Sequence, residues 1–199
     1  YSIFKVIEKE TNFDLKKAKF FAGHSLGEYS ALCCSNSLNF EQTIKLLQAR
    51  GLAMQNALPR GEGGMIAVLG INISELKDLI KNTGNETSCY IANDNSTNQI
   101  VLSGKITALE DFAKILNEKS IKFVKLPVSA PFHSPLMNKA TEEMKNEIYN
   151  VEFKNPDITI VSNVTADEVD NSDDIKKLLI EQIEKPVRWR ESINNMINK

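Results

Sequence analysis

A serine between two glycines is the first candidate for chemistry in this chain. The segment Gly23-His24-Ser25-Leu26-Gly27 fits the Gly-x-Ser-x-Gly pattern of a nucleophile elbow, a sharp strand-to-helix turn that exposes a serine hydroxyl. The preceding residues 19–22 predict a short buried strand, and the residues from Glu28 onward predict a helix. Ser25 is therefore the predicted nucleophile of a covalent, acyl-transferring type of chemistry.

The turn also accounts for the residue types around the serine. Side chains at positions 23 and 27 are expected to collide across the bend, which would explain why glycine stands at both. The backbone N–H of Leu26 begins the helix, so it can point at an oxyanion with help from the helix dipole. Leu26 is thus the predicted oxyanion donor.

Two histidines could act as the base for this serine. His24 adjoins Ser25, so its side chain is expected to point away from the hydroxyl. His133 lies in an irregular loop bracketed by Pro131 and Pro135, and loops held by a scaffold often carry catalytic groups. Its imidazole can take the serine proton and return it to a leaving group. Because no acidic third member is evident after the serine, a backbone carbonyl could orient the imidazole instead.

The elements that must position these residues predict an α/β fold. Residues 65–126 follow the order strand, helix, strand, strand, helix, strand, which is typical of a ferredoxin-like unit. We predict a hydrolase-like parallel-sheet core formed by residues 1–60 and 127–199, with a ferredoxin-like βαββαβ subdomain inserted at residues 61–126.

Two helices receive more detailed predictions. The helix over about Phe40 to Leu58 is predicted to place Ile44, Leu47 and Met54 on one side. In the inserted unit, Ser74 is predicted to cap a helix that runs to about residue 81.

Composition narrows the classes of function. The formal net charge is −2 with acids and bases interspersed, which argues against a nucleic-acid-binding surface. No apolar run approaches the length of a membrane span, and no secretory signal precedes the first motif. Three cysteines, without a Cys-x-x-Cys pair, suit neither a disulfide framework nor a metal site. We therefore expect a cytoplasmic protein that binds neither nucleic acid nor membrane.

Several segments in the same order carry a family resemblance. Residues 23–32, Gly-His-Ser-Leu-Gly-Glu-Tyr-Ser-Ala-Leu, resemble the active-site segment of malonyl-CoA:acyl carrier protein transacylases. Further matches are Gln48-Ala49-Arg50-Gly51, Gly64-Met65, Asn93-x-Asn95-Ser96, the Pro127 to Ser134 segment, Ser162-Asn163-Val164 and Pro186-Val187-Arg188-Trp189. The likeness covers nearly the whole chain.

This resemblance implies a ping-pong reaction that supplies fatty acid biosynthesis. Ser25 would attack the thioester of malonyl-CoA while His133 accepts the proton, and the phosphopantetheine thiol of acyl carrier protein would then take the malonyl group. Arg50 would hold the free malonyl carboxylate with its planar fork. The remaining residues to which the resemblance gives a substrate-binding role are Met54, Phe132 and Asn163. It implies a monomer that uses no cofactor and no metal beyond the two substrates.

The sequence also departs from the family's pattern. Members begin with a strand and a Gly-Gln-Gly-x-Gln segment whose last glutamine helps to build the oxyanion hole. They end with a Gly-Pro-Gly segment and a nearby glutamine that orients the histidine. Neither segment is found here. The resemblance therefore implies a chain truncated at both ends, without one oxyanion donor and without the orienter of His133.

Other functions remain open at this stage. The chain could be the acyltransferase domain of a larger synthase, a catalytically impaired fragment of the enzyme, or a serine hydrolase that uses the same elbow. It could also be a docking module that binds an acidic carrier protein through a cationic patch of Lys185, Arg188 and Arg190.

Overall fold

A computed structural model of the chain describes residues 1–15 and 17–199 in full. The helices are α1 (Ser2–Glu10), α2 (Leu26–Cys34), α3 (Phe40–Gln55), α4 (Ile73–Asn82), α5 (Ile106–Glu118), α6 (Asn138–Tyr149), α7 (Ser172–Glu181) and α8 (Trp189–Asn198). The strands are β1 (Phe21–Ala22), β2 (Gly63–Leu69), β3 (Cys89–Ser96), β4 (Gln99–Lys105), β5 (Lys122–Lys125), β6 (Ile160–Val161) and β7 (Glu168–Val169). Within the described residues, no helix combines the length and the apolar character needed to cross a bilayer.

A small sheet supports the serine turn. Strands β1 and β6 are parallel, with Phe21 opposite Ile160 and Ala22 opposite Val161. Strand β7, which the sequence did not predict, pairs antiparallel with β6. Because the carboxyl ends of parallel strands meet at one edge, the residues that follow β1 and β6 are brought together. The predicted parallel core is therefore present as one short pair.

The second sheet has the strand order β3-β4-β2-β5, and all of its pairs are antiparallel. Its elements follow the chain as β2-α4-β3-β4-α5-β5, so the predicted α/β class with a βαββαβ unit is confirmed. Helices α4 and α5 cover one face of this sheet. The buried residues there include Leu76, Phe112 and Leu116 from the helices, and Val68, Ile100 and Leu102 from the strands.

The largest apolar cluster lies among helices α2, α3, α6 and α7. Leu32, Leu46, Met144 and Leu179 come from these four helices in turn, and each is at most 1% exposed. Burial of side chains of this size stabilises a fold by about 1.5–3 kcal/mol each. This cluster is the base on which the serine turn is mounted.

The buried face of α3 differs from the predicted one. Ile44 is 48% exposed, whereas Thr43, Leu46, Arg50 and Ala53 are buried. The prediction considered apolar residues alone. Because Arg50 also points inward, the buried face of the helix is rotated relative to the predicted one. The helix begins with a capping box between Asn39 and Gln42 and ends three residues earlier than predicted.

The predicted cap of α4 is also wrong. Ser74 lies within the first turn of the helix, and the cap is Asn72, whose side chain accepts from the backbone N–H of Glu75. The side chain of Glu75 in turn accepts from the backbone N–H of Asn72. This reciprocal pair satisfies two otherwise free backbone donors, which a serine two residues later would not do.

Strand β3 and helix α8 join the two parts of the fold. The backbone of Val187 bridges Asn93 in a parallel sense, and the guanidinium of Arg190 donates to both carboxylate oxygens of Asp94 at 2.7–3.1 Å. Asp94 is 2% exposed, so its carboxylate is largely shielded from water, whereas the Arg190 side chain is 25% exposed. Arg188 contacts Glu191 and donates to the carbonyl of residue 165. Both arginines of the predicted cationic patch are therefore engaged within the chain.

Candidate active site

The serine lies on a strained turn between β1 and α2. Ser25 has φ 53° and ψ −109°, a conformation that side-chain-bearing residues rarely adopt. A Cβ at position 23 would lie 1.9 Å from the carbonyl oxygen of Gly27, so only glycine fits there. Position 27 differs from the expectation, because a Cβ there would meet nothing within 4 Å. The collision argument therefore holds for Gly23 and is wrong for Gly27.

Asn163 ties the turn to the neighbouring strand β6. Its side-chain oxygen accepts from the backbone N–H of Ser25 at 2.6 Å, and its side-chain nitrogen donates to the carbonyl of Gly23 at 2.9 Å. The residue is fully buried. Both ends of its amide are used within the protein, so Asn163 supports the turn, and its predicted substrate-binding role stays a prediction.

The loop that carries His133 is also held tightly. His133 itself has φ 57°, in the left-handed region. The buried hydroxyl of Ser134 donates to the carbonyl of Pro131 at 2.6 Å. The ring of Pro131 also leaves no room for a side chain at position 63, where a Cβ would lie 2.3 Å from its Cδ. Strand β2 and the loop are thereby packed against each other, which fixes where the imidazole lies.

The structure brings Ser25 and His133 together across 108 residues of sequence. The serine Oγ lies 2.8 Å from His133 Nε2, and His133 Nδ1 lies 2.7 Å from the main-chain carbonyl oxygen of Gln182. A carbonyl can only accept, so Nδ1 carries the proton and Nε2 presents its lone pair to the serine hydroxyl. The family resemblance implied that the orienter of the histidine is missing. That expectation is wrong, because the main-chain carbonyl of Gln182 orients the imidazole.

Burial keeps this imidazole neutral. His133 is 4% exposed, and its pKa is lowered from 6.5 to about 3, first by burial and then by the nearby charge of Arg50. The hydrogen bond to Gln182 opposes this shift only partly. At neutral pH the histidine is therefore an unprotonated acceptor for the serine proton.

Arg50 reaches the same hydroxyl from α3. Its Nη2 donates to Ser25 Oγ at 3.0 Å and to the side-chain oxygen of Gln182 at 3.1 Å. The residue is 7% exposed, and burial lowers its pKa. Its Nε has no hydrogen-bond partner among the described residues. A buried cation with an unused donor thus lies beside the serine, which suits an anionic ligand.

Glu28 and Gln182 complete the polar surroundings. The side-chain nitrogen of Gln182 donates to Glu28 Oε2 at 2.6 Å, and the backbone N–H of Asn163 donates to the same oxygen at 3.1 Å. Burial raises the pKa of Glu28 to about 7, against the lowering effects of these bonds and of Arg50. Neither Glu28 nor Gln182 was among the predicted site residues. The signal for Glu28 was its position as the one charged residue in the mainly apolar helix α2.

Four further residues named in the sequence analysis lie around the site. The backbone N–H of Leu26 donates to no protein acceptor among the described residues, while its side chain is 53% exposed. Met54 is 3% exposed in the large apolar cluster, and its predicted contact with the substrate stays a prediction. Phe132 is half-buried and packs against two apolar clusters beside the histidine. His24 is turned away from Oγ, as its position predicts, and contacts Asn95 at 2.8 Å.

Among residues 1–15 and 17–199, no group of three or more His, Cys, Asp or Glu side chains could hold a metal ion.

Known proteins resemble this chain over most of its length. A malonyl CoA-acyl carrier protein transacylase of Bacillus subtilis is 42% identical over 180 residues, which cover 89% of this chain and 57% of that protein. The crystal structure of an acyl-carrier-protein-S-malonyltransferase from Bartonella henselae superimposes with a TM-score of 0.93 at 38% identity, covering 100% of this chain and 63% of that one.

A third relative is a malonyl-transacylase in complex with its type II PKS acyl-carrier protein. It has a TM-score of 0.92 and 30% identity, and it covers 99% of this chain and 63% of that one. This chain therefore spans about three fifths of the length of the relatives it matches.

The relatives confirm the resemblance that the motifs indicated. The family described as the acyl transferase domain matches residues 16–199, a range that includes the serine turn, the histidine loop and Gln182. With more than nine tenths of its length matched, this chain belongs to the acyl transferase domain family.

Proposed function

We propose that this chain carries the active site of a malonyl-CoA:acyl carrier protein transacylase, with Ser25 as nucleophile and His133 as base. One observation carries the proposal. The serine Oγ lies 2.8 Å from an unprotonated imidazole nitrogen and 3.0 Å from a buried guanidinium. A hydroxyl activated by a base beside a fixed positive charge suits a thioester substrate that also bears a carboxylate.

The first half-reaction follows from the tautomer of the histidine. His133 Nε2 takes the hydroxyl proton as the serine oxygen attacks the thioester carbonyl of malonyl-CoA. A negative charge then develops on the carbonyl oxygen of the thioester. The backbone N–H of Leu26 donates to no acceptor among the described residues, so it can stabilise this charge at the positive end of α2. When the C–S bond breaks, the imidazolium returns its proton to the sulfur of coenzyme A, and a malonyl-serine ester remains.

The second half-reaction runs the same steps with a different thiol. The phosphopantetheine thiol of acyl carrier protein gives its proton to His133 and attacks the ester. Collapse of the intermediate breaks the C–O bond, and His133 returns the proton to the oxygen of Ser25. Through both halves the carbonyl of Gln182 keeps Nδ1 protonated and stabilises the transient imidazolium.

Selectivity for a diacid unit is assigned to Arg50. Its Nε is buried without a partner, and a malonyl carboxylate would satisfy it together with an Nη donor. Acetyl-CoA has no such group, so it would leave the guanidinium unsatisfied. Phe132, next to the histidine in sequence, is proposed to limit the space around the acyl unit.

The proposed partner is inferred from a relative, and the proposed cellular compartment from the cysteines. Acyl carrier protein is the proposed acceptor because a relative is known in complex with its own carrier protein. The reaction needs no cofactor or metal beyond these substrates. All three cysteines are free thiols, which is typical of a reducing compartment, so we propose a cytoplasmic, monomeric enzyme of fatty acid synthesis.

Labelling with malonyl-CoA tests the proposal. The protein is incubated with malonyl-CoA, its intact mass is measured, and the modified peptide is mapped, with Ser25→Ala as the control. We expect the mass of one malonyl group on Ser25, removed by phosphopantetheinylated acyl carrier protein faster than by water. A label on another residue would refute the nucleophile. Release of coenzyme A with hydrolysis but no carrier-dependent transfer would instead identify a serine hydrolase.

A further inference from the structure

Glu28 is a buried carboxylate that the reaction above does not use. It lies in the first turn of α2, three residues after Ser25, and is 2% exposed. Removing a carboxylate from water costs several kcal/mol unless hydrogen bonds compensate it. Such a residue beside a nucleophile needs a physical reason.

A single oxygen of this carboxylate joins three elements. Glu28 Oε2 accepts from the side-chain nitrogen of Gln182, which follows α7, and from the backbone N–H of Asn163, which follows β6. Asn163 in turn holds the backbone of Ser25 and Gly23. The carboxylate therefore connects the serine turn to the segment that orients the histidine.

The carboxylate also determines how the amide of Gln182 is oriented. In its ionised form the Glu28 carboxylate only accepts hydrogen bonds, and a guanidinium only donates them. The amide satisfies both neighbours only with its nitrogen toward Glu28, at 2.6 Å, and its oxygen toward Arg50, at 3.1 Å. Rotation by half a turn would place NH₂ against the guanidinium and oxygen against the carboxylate, so both contacts would become repulsive.

The position of Gln182 in turn affects both Arg50 and His133, because it is hydrogen-bonded to each of them. Its side-chain oxygen holds the Arg50 nitrogen that reaches Ser25, and its main-chain oxygen accepts from His133 Nδ1. We propose that Glu28 is a positioning residue that fixes Gln182 and, through it, the guanidinium and the imidazole. This inference rests on the proposed function, because it explains how that site is kept in a reactive arrangement.

Three variants separate positioning from folding. Glu28→Ala removes the acceptor, whereas Glu28→Gln keeps an amide oxygen that can accept both bonds at the same place. Leu32→Ala is the matched control, since Leu32 lies fully buried on the same helix as part of the apolar cluster and its side chain has no polar group. For each, kcat/KM is measured with malonyl-CoA and acetyl-CoA and corrected for the folded fraction.

We expect Glu28→Ala to lower kcat/KM for malonyl-CoA about 100-fold, as for a small misplacement of reacting groups. The malonyl-to-acetyl ratio should fall about tenfold, because Arg50 loses its support. Glu28→Gln should stay within about threefold of the parent, and Leu32→Ala should keep the parent ratio. A Glu28→Ala protein with the parent ratio and only a folding defect would overturn the proposal, as would a Glu28→Gln protein that behaves like Glu28→Ala.

A second readout does not depend on the substrate. The proton on His133 Nδ1 is followed by nitrogen-edited NMR, and Ser25 reactivity is followed with a fluorophosphonate probe. We expect Glu28→Ala to weaken both signals and Glu28→Gln to preserve them; unchanged signals in Glu28→Ala would overturn the inference. If the parent protein reacts with the probe but not with malonyl-CoA, the proposed function fails while these two measurements still decide the role of Glu28.

Discussion

At the scale of single residues, the hydroxyl of Ser25 lies between two groups with different tasks. In the proposed reaction His133 accepts its proton, while Arg50 donates to the same oxygen. An arginine cannot act as a base at neutral pH, so the histidine must carry the proton transfer and the arginine must act through its charge. The proposal therefore predicts that substrate selectivity and chemical reactivity can be separated by substitution.

Arg50 provides the first test of that separation. We expect Arg50→Ala to lower malonyl transfer about 100-fold, since a charge-assisted bidentate contact is lost. Acetyl transfer should be unchanged or improved, because an acetyl unit has no carboxylate to bind. Steady-state assays with both donors measure the ratio, with the exposed Arg60→Ala as the control. Equal losses with the two donors would show that the arginine has no role in selectivity.

The sequence was sufficient to predict that Ser25 and His133 act together, but not to predict the residues that hold them in place. Ser25 was evident from the glycine pattern, and His133 from its proline-bracketed loop and from the placement of His24. Gln182 acts on the histidine through its main-chain oxygen, and every residue type has one, so no side-chain pattern could reveal it. The burial of Asn163 could not be predicted from the sequence either, because it depends on packing between distant segments.

At the scale of elements, one strand pair determines the geometry of the turn. The parallel β1 and β6 end at the same edge, which places Asn163 directly beside the serine turn. The amide of Asn163 then takes the place of a backbone partner for Ser25 and Gly23. These bonds help to hold the strained backbone of the serine, a conformation that costs about 1–3 kcal/mol by itself.

The two glycines of the turn should differ in their response to substitution. Gly23→Ala should lower the free energy of unfolding by about 3 kcal/mol or more, because its Cβ would overlap the backbone of Gly27. Gly27→Ala should be neutral or stabilising by up to about 1 kcal/mol, since position 27 is open and helical. Urea unfolding of both variants measures the difference. A stable Gly23→Ala protein would contradict the overlap.

Prediction of the helices and strands succeeded where local sequence patterns determine them and failed where contacts with distant residues determine them. The βαββαβ order follows from alternating runs of apolar residues, which the chain displays clearly. The register of α3 depended on Arg50 facing Ser25, a contact across 25 residues that apolar periodicity cannot report. Strand β7 has two residues and exists through its pairing with β6, so it has no sequence signal of its own.

At the scale of the whole molecule, the active site combines segments from distant parts of the chain. The serine turn, α3, the histidine loop and the residues after β6 and α7 all contribute a polar group. The cost of burying these groups is part of the stability of the whole fold, and it depends on pH through Glu28 and His133.

Glu28 should make the folding stability fall as the pH rises. Its folded pKa of about 7 lies above the ordinary 4.5, so the unfolded chain loses this proton first. The stabilisation is complete below pH 4.5 and is lost as the pH rises through 7, by about 3 kcal/mol in total. His133 has a lowered pKa, so its contribution makes the folding stability rise with pH between pH 3 and 6.5. This contribution is the same in the parent and in Glu28→Gln, and it cancels when their stabilities are compared.

Urea unfolding of the parent and Glu28→Gln between pH 4.5 and 8 measures this difference. We expect the parent to lose stability relative to the variant across that range. A difference that does not change with pH would mean that Glu28 titrates alike in the folded and unfolded chains.

The most direct test of the central claim compares the two histidines. The rate at which malonyl-CoA acylates Ser25 is measured in a single turnover for His133→Ala and His24→Ala. Loss of a general base at hydrogen-bond distance should slow His133→Ala about 1,000-fold, whereas His24→Ala should keep a rate near that of the parent. Rapid acylation in His133→Ala, or a comparable loss in His24→Ala, would contradict proton transfer from Ser25 to His133.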